Sequence, residues 1–237
     1  MVATNSPRLE RAAIEAAENF GVPAICMIDL FALQEIDWIG QPGYANKICV
    51  LSEKVMELFL AAGRSADEIV VTGNPAFDYL GGGDLPDKGR QLRELKGWGE
   101  DKVVLWCLQT EPEVHPFNGQ QGDPTLPLSI EAALKSCCSG NKGVRLYVRP
   151  YPNEDMSRRK QFDGVEYGTK DDLSALLSAV DLVVIMSSTV GLEAALMKKP
   201  VVSVNMSIFT DDMPFAQMSL AEGVDDLDDL CKVWIKY

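Results

Sequence analysis

Three stretches of the chain gather side chains that can do chemistry. In residues 181–204 an apolar run leads into Ser187, Ser188 and Thr189, then Gly191 and Glu193, before a second apolar run. In a parallel sheet the carboxyl end of a strand and the amino end of the next helix meet at the ligand edge. Hydroxyls and first-turn N–H groups at that edge, with the positive end of the helix dipole, hold phosphate without a basic side chain. Gly191 would let a diphosphate approach the backbone. Glu193, one turn into the helix, would accept hydrogen bonds from two neighbouring ribose hydroxyls. The same spacing also describes a Ser/Thr helix cap with a dipole-favoured glutamate, and the residues alone leave both readings open.

The second stretch, Tyr147-Val148-Arg149-Pro150-Tyr151-Pro152, ends a strand in an arginine held by two prolines. A guanidinium pinned at a sheet edge forms charge-assisted bonds to phosphate oxygens; the alternative is a surface arginine in a rigid turn. The third, residues 109–117, holds His115, the only histidine of the chain, between Glu111, Glu113 and the following Pro116. Imidazole titrates near neutral pH, so His115 is a candidate acid, base or phosphate donor, or else a structural or solvated histidine.

Such residues need a scaffold that brings strand ends to one edge. Short β-branched runs alternate with helix-period segments along the whole chain, the pattern of parallel sheets with crossover helices, so the fold class is α/β. Residues 2–4 read as the tail of a strand and 7–19 as a helix. Strands follow at 23–28, 47–51 and 68–72, with a helix at 53–62. Residues 81–87, Gly-Gly-Gly-Asp-Leu-Pro-Asp, have no periodicity and read as a linker. The chain therefore divides into residues 1–78, a partial Rossmann-like domain, and residues 79–237, a complete one. Strands are predicted in the second at 102–108, 144–149, 164–166, 181–186 and 200–204, with helices at 127–138, 171–179 and 191–198. The pairs Asp171-Asp172 and Asp211-Asp212 and the run 225–229 read as helix starts or solvated turns.

With 46% apolar residues the 237-residue chain can bury a core, and its formal charge of −13 argues against a surface built for nucleic acid or anionic lipid. Phosphate must be held by a few local donors. The six cysteines lack paired CxxC spacing, and several fall in apolar runs where free thiols act as small hydrophobes. They point to a reduced, cytoplasmic protein. No apolar signal core opens the chain, and no uncharged apolar run reaches the roughly 18 residues of a membrane span. There is no GxGxxG or GxxxxGK[ST] motif, and no Asp-x-Asp beside a strand end that would call for a metal.

Three segments in order carry a family resemblance. Ile-Val-Val-Thr-Gly-Asn-Pro-Ala-Phe-Asp-Tyr-Leu, residues 69–80, resembles the segment closing the N-terminal domain of non-hydrolysing UDP-N-acetylglucosamine 2-epimerases and related GT-B glycosyltransferases. Arg149-Pro150-Tyr151-Pro152 is similar to their Arg-Pro-His-Pro turn. Residues 187–200 are similar to their Ser-rich loop, Glu-bearing helix and Lys-Lys-Pro exit. The likeness spans about residues 20–205. It implies a GT-B-like fold of two Rossmann-like domains, the first lacking its opening part. UDP or a UDP-sugar would be held by Arg149, Ser187, Ser188, Thr189, Gly191 and Glu193, with no cofactor and no metal.

Two departures bear on the reaction. Tyr151 stands for the family's histidine, and Ser188-Thr189-Val190-Gly191 stands for the epimerases' Ser-Gly-Gly. The epimerases' Val-Glu-Ala-Gly region aligns with Ile28-Asp29-Leu30-Phe31, so Asp29, with Glu35 and help from His115, would be the catalytic set. An aspartate is one methylene shorter than the family's glutamate, which counts in a proton transfer at hydrogen-bond distance. The resulting expectation is a glycosyltransferase of surface polysaccharide or glycolipid synthesis, using a nucleotide sugar and a carbohydrate or lipid-linked acceptor. A 2-epimerase or a non-catalytic nucleotide-sugar-binding domain are the alternatives. The partial first sheet leads one to expect a homodimer or companion subunit, and nucleotide binding with little turnover by this chain alone.

Overall fold

Runs of Val, Ile and Leu too short for helices become strands, and the segments between them, apolar on one side, become the helices that cover them. The computed structural model describes residues 1–151, 154–157, 159–168 and 170–234; Pro152 of the proline-flanked turn, Lys236 and Tyr237 lie outside these. The chain divides into two compact units, the first Met1–Asp78 and the second beginning at Tyr79.

The first unit runs β1 (Val2–Thr4), α1 (Leu9–Asn19), β2 (Ile25–Met27), α2 (Ile36–Ile39), β3 (Lys47–Val50), α3 (Glu53–Ala61) and β4 (Ile69–Val71). Its strands pair in parallel in the order β1-β2-β3-β4. Ile14, Cys26, Ile48, Val50, Val55 and Phe59 pack its core. Ser52 starts α3 by accepting from the Val55 N–H at 3.4 Å. The buried Arg64 ties the unit together, its Nη1 and Nη2 donating to the carbonyls of Gln41 and Ala45 at 2.7 Å each.

The second unit runs α4 (Leu85–Lys96), β5 (Lys102–Cys107), α5 (Leu126–Ser139), β6 (Val144–Arg149), β7 (Glu166–Tyr167), α6 (Leu173–Ala179), β8 (Leu182–Ile185), α7 (Val190–Leu196), β9 (Val201–Val204), β10 (Glu222–Val224) and α8 (Leu227–Trp234). All six strands are parallel, in the order β10-β9-β8-β5-β6-β7. From β5 the chain winds outward through β6 and β7, then returns through α6 to lay β8 on the other side of β5. This reversal makes the carboxyl ends of β5 and β8 the switch point, where open α/β sheets receive ligands. Every residue of β5 after Lys102 is buried, as a strand covered on both faces requires.

Beyond the short α2 and the C-terminal α8, which the sequence reading did not place, three features differ from expectation. Residues 81–87 are not a continuous linker. A 3-10 turn spans Pro75–Gly81 and α4 begins at Leu85, with Pro86 in its first turn and Gly97 closing it in the left-handed conformation at φ 65°. Its charged composition hides the three residues it buries, Leu85, Gly89 and Leu92, whose spacing is nonetheless helical. Gly89 is required there, because a Cβ would lie 2.5 Å from Ser178 Oγ and 3.0 Å from the Ser178 carbonyl carbon on α6. The sheet also gains a sixth strand, β10, whose central Gly223 weakened its signal; it ends at Val224, so that, contrary to expectation, Asp226-Leu227-Asp228 does stand beside a strand end.

The third difference corrects the reading of six free thiols. Cys137 on α5 and Cys231 on α8 are joined in a disulfide with Cα atoms 5.4 Å apart, leaving Cys26, Cys49, Cys107 and Cys138 free. Their separation of 94 residues concealed the pair. No helix among the described residues is long and apolar enough to cross a membrane.

Candidate functional site

At the switch point of the second unit the loops after β5 and β8 are cross-linked by one side chain. Gln109, two residues beyond β5, accepts from the Ser187 N–H at 2.8 Å through Oε1 and donates from Nε2 to Ser187 Oγ at 3.3 Å. The Ser187 hydroxyl is thereby held at the sheet edge. Ser188 Oγ accepts from the Val190 N–H at 3.3 Å and starts α7, while Thr189, at the cap position, makes no side-chain cap bond and is exposed. The hydroxyl cluster thus divides its work: Ser188 caps, Ser187 is braced, and Thr189 faces out.

Glu193 lies one turn into α7, only 8% exposed, and its Oε2 accepts from the phenol O–H of Tyr79. Burial, then the bond to Glu193, pushes the Tyr79 hydroxyl up to about 12, so it remains protonated and donates. Gly191 has a different role from the one its sequence position implied. A Cβ there would fall 2.3 Å from Ile185 Cδ1 and 3.5 Å from Phe215 Cε1, so the glycine faces the core and lets α7 press against β8.

Arg149 ends β6, half-buried, and donates from Nη1 to the Asp171 carbonyl at 2.9 Å. Cys107 ends the adjacent β5. Its thiol is pushed to about 12, chiefly by burial, while Arg149 pulls it down and Glu193 pushes it up. A guanidinium and a carboxylate thus act on the same strand end. Beside them Asp172 caps α6, its Oδ1 accepting from Ala175 N at 2.9 Å and Ser174 Oγ at 2.6 Å. These two bonds, the hydroxyl's first, hold its carboxyl below the ordinary range.

His115 is 3% exposed, with its Nε2 2.8 Å from Asp212 Oδ2. Its Nδ1 accepts from the N–H groups of Phe117 and Asn118 at 3.2 and 3.3 Å, which assigns the proton to Nε2. Nearby, the buried Glu111 accepts from Ser207 Oγ at 2.7 Å and Ile208 N at 2.8 Å. The loop after β5 is therefore tied to residues 207–212 by buried polar groups. The acid, base or phosphate-donor role expected of His115 has no free ring nitrogen in this arrangement; the ring braces its loop.

In the first unit Asp29 follows β2 at the carboxyl edge. Its N–H donates to Asn5 Oδ1 at 3.1 Å, and its carbonyl accepts from Asn74 Nδ2 at 3.0 Å, leaving an exposed carboxylate on a fixed backbone. Between it and Glu35 the buried Ala32 has φ 52°, a conformation costly for a side-chain-bearing residue. Glu35 occupies the position before α2 and is half-buried.

Chains of similar fold are known. A UDP-GlcNAc 2-epimerase from Methanocaldococcus jannaschii in complex with UDP-GlcNAc and UDP superposes with a TM-score of 0.69 at 14% identity, over 99% of this chain and 67% of its own. The glycotransferase of kitacinnamycin gives 0.60 at 13%, over 99% and 66%. The S. aureus MnaA–UDP co-structure gives 0.58 at 14%, over 89% of this chain and 59% of its own. The fold is GT-B-like. The chain spans about three fifths to two thirds of the length of these structures. No protein-family model matches it, and no curated protein sequence does.

In this GT-B-like chain the second unit brings Arg149, Ser187, Ser188, Thr189 and Glu193 to one sheet edge and turns Gly191 and His115 inward. Among the described residues no group of three or more His, Cys, Asp and Glu side chains could hold a metal ion. Sequence reasoning gave no role to Gln109 or Tyr79. Gln109 stands just after β5, a strand buried at every residue beyond Lys102, and that position was the available signal. Tyr79 had none, since its partner is 114 residues away.

Proposed function

We propose that this chain is the nucleotide-sugar-binding part of a GT-B-type glycosyltransferase that uses a UDP-sugar, in the synthesis of a surface polysaccharide or glycolipid. The observation that carries the reading is Arg149 at the end of β6, paired in register with Cys107 at the end of β5, beside a Ser187 braced by Gln109 and with Glu193 in the first turn of α7. Arg149 would set its planar fork against the diphosphate and offset the charge that grows on departing UDP. Ser187 and Thr189 would donate to the same phosphates, and Glu193 would accept from the ribose. The solved structures of similar fold that hold UDP or UDP-GlcNAc support this choice of ligand.

A 2-epimerase is the second reading, favoured by the exposed Asp29 carboxylate on its doubly anchored backbone. Incubation with labelled UDP-GlcNAc separates the two. Transfer to an acceptor or release of UDP supports the transferase, and interconversion of two UDP-sugars supports the epimerase. Binding without either supports a non-catalytic domain. A chain whose thermal midpoint no uridine nucleotide raises would sink all three, since a ligand bound only by the folded state must stabilise it.

A further inference from the structure

The Glu193 carboxylate, assigned above to the ribose, already has a donor. Tyr79 is 51% exposed, yet its hydroxyl donates to Glu193 Oε2. Two adjacent ribose hydroxyls bind a carboxylate in the bidentate manner when each takes one of its oxygens. A carboxylate oxygen has room for two donors, but here Oε2 already takes one from a neighbour of the same protein and Glu193 is only 8% exposed, which leaves Oε1 as the oxygen offered to a ligand. We infer that Tyr79 is a specificity-determining residue: by occupying one oxygen of Glu193 it reduces the ribose contact to a single hydroxyl, so that the site accepts a nucleotide lacking the other. The ligand class this admits includes deoxyribonucleoside diphosphates as well as ribonucleoside diphosphates.

The chemistry is coherent on two counts. A phenol whose proton is held to about pH 12 stays protonated through the physiological range and so keeps donating to Glu193. Tyr79 follows the turn Asn74-Pro75, where Asn74 Oδ1 accepts from Ala76 N at 3.0 Å, so its backbone enters the 3-10 segment in a defined direction.

The inference rests on the ribose reading of Glu193, and the test separates the two. Dissociation constants of UDP, 2′-deoxy-UDP and 3′-deoxy-UDP are measured by calorimetry on the full chain and on Tyr79→Phe. The wild-type chain is expected to bind one of the two deoxy nucleotides within about twofold of UDP. In Tyr79→Phe the freed oxygen takes the second hydroxyl, and that same analogue falls behind UDP by about tenfold or more, the size of a hydrogen bond to a charged group. A merely structural tyrosine would shift all three ligands together and leave their ratios alone. Wild-type discrimination of tenfold or more against both deoxy analogues overturns the role of Tyr79 while keeping the ribose site. Ratios unchanged by the substitution overturn it equally. No binding of any of the three overturns both.

Discussion

Glu193 sits where an unpaired carboxylate would be costly, with about nine tenths of its surface removed from water. That cost is met at Oε2 by the Tyr79 hydroxyl, and Oε1 is left for a ribose hydroxyl. Glu193→Ala removes both partners' target. Tyr79, half-exposed, then turns to water, so the expected loss of fold stability is small, about 1 kcal/mol. The lost ribose contact is worth about 1.5–3 kcal/mol, and UDP should bind at least about tenfold more weakly by calorimetry. Equal UDP affinity in the folded variant would leave Glu193 as a helix-dipole residue only. Arg149→Lys keeps the positive charge but gives up the planar fork, and its ammonium cannot both hold the Asp171 carbonyl and span two phosphate oxygens. An affinity loss of about tenfold is expected in a UDP titration; a lysine that binds as well would make Arg149 electrostatic background. At this scale the positions written locally were legible: a hydroxyl cluster after a buried run and an arginine ending a strand both stand at the carboxyl edge of the second sheet. Gln109 and Tyr79 act across 78 and 114 residues of sequence, and local spacing carries no trace of such bonds. The burial of His115 was not legible, because its loop is polar in sequence whereas Asp212 and two backbone N–H groups close over it in space.

Among the elements, the strands with the greatest burial were the most legible. Those of the second sheet's centre, β5, β6, β8 and β9, are read to within about a residue or two, because burial on both faces makes β5 and β8 nearly continuous apolar runs and leaves β6 and β9 mostly apolar. The helix α4 was illegible for the opposite reason: it contacts the molecule along one narrow stripe and is charged elsewhere. The α8 helix is held by more than packing. Cys231 joins it to α5 across 94 residues, and a crosslink of that span restricts the unfolded chain strongly. Cys231→Ser, or reduction of the wild type, is expected to lower stability by about 2–4 kcal/mol, read as a fall in the urea midpoint. Oxidised and reduced samples that unfold at the same urea concentration, or a chain mass without the loss of two hydrogens, would remove the bond from the account.

At the scale of the whole molecule the candidate residues divide by unit: every group assigned to the nucleotide lies after Tyr79, and the acids of the second reading, Asp29 and Glu35, lie before it. A molecule of net charge −13 gains nothing from its long-range field in attracting a diphosphate, so affinity must come from short contacts at the second sheet's edge. Binding and chemistry should therefore separate under mutation. Asp29→Asn is nearly isosteric, and the exposed carboxylate it replaces makes way for an amide that leaves the Asn5 and Asn74 contacts to the backbone untouched. Its effect on stability should stay within about 0.5 kcal/mol. UDP affinity is expected within about twofold of wild type, because no nucleotide-binding group is altered. An amide cannot take up a proton as a carboxylate does, so any interconversion of UDP-sugars that the chain performs should fall by at least about a hundredfold, the usual scale for removing a general acid or base. Calorimetry with UDP and product analysis with labelled UDP-GlcNAc give the two numbers side by side. A variant that loses nucleotide affinity as steeply as Glu193→Ala would put Asp29 among the binding groups. One that interconverts UDP-sugars at the wild-type rate would remove it from the chemistry.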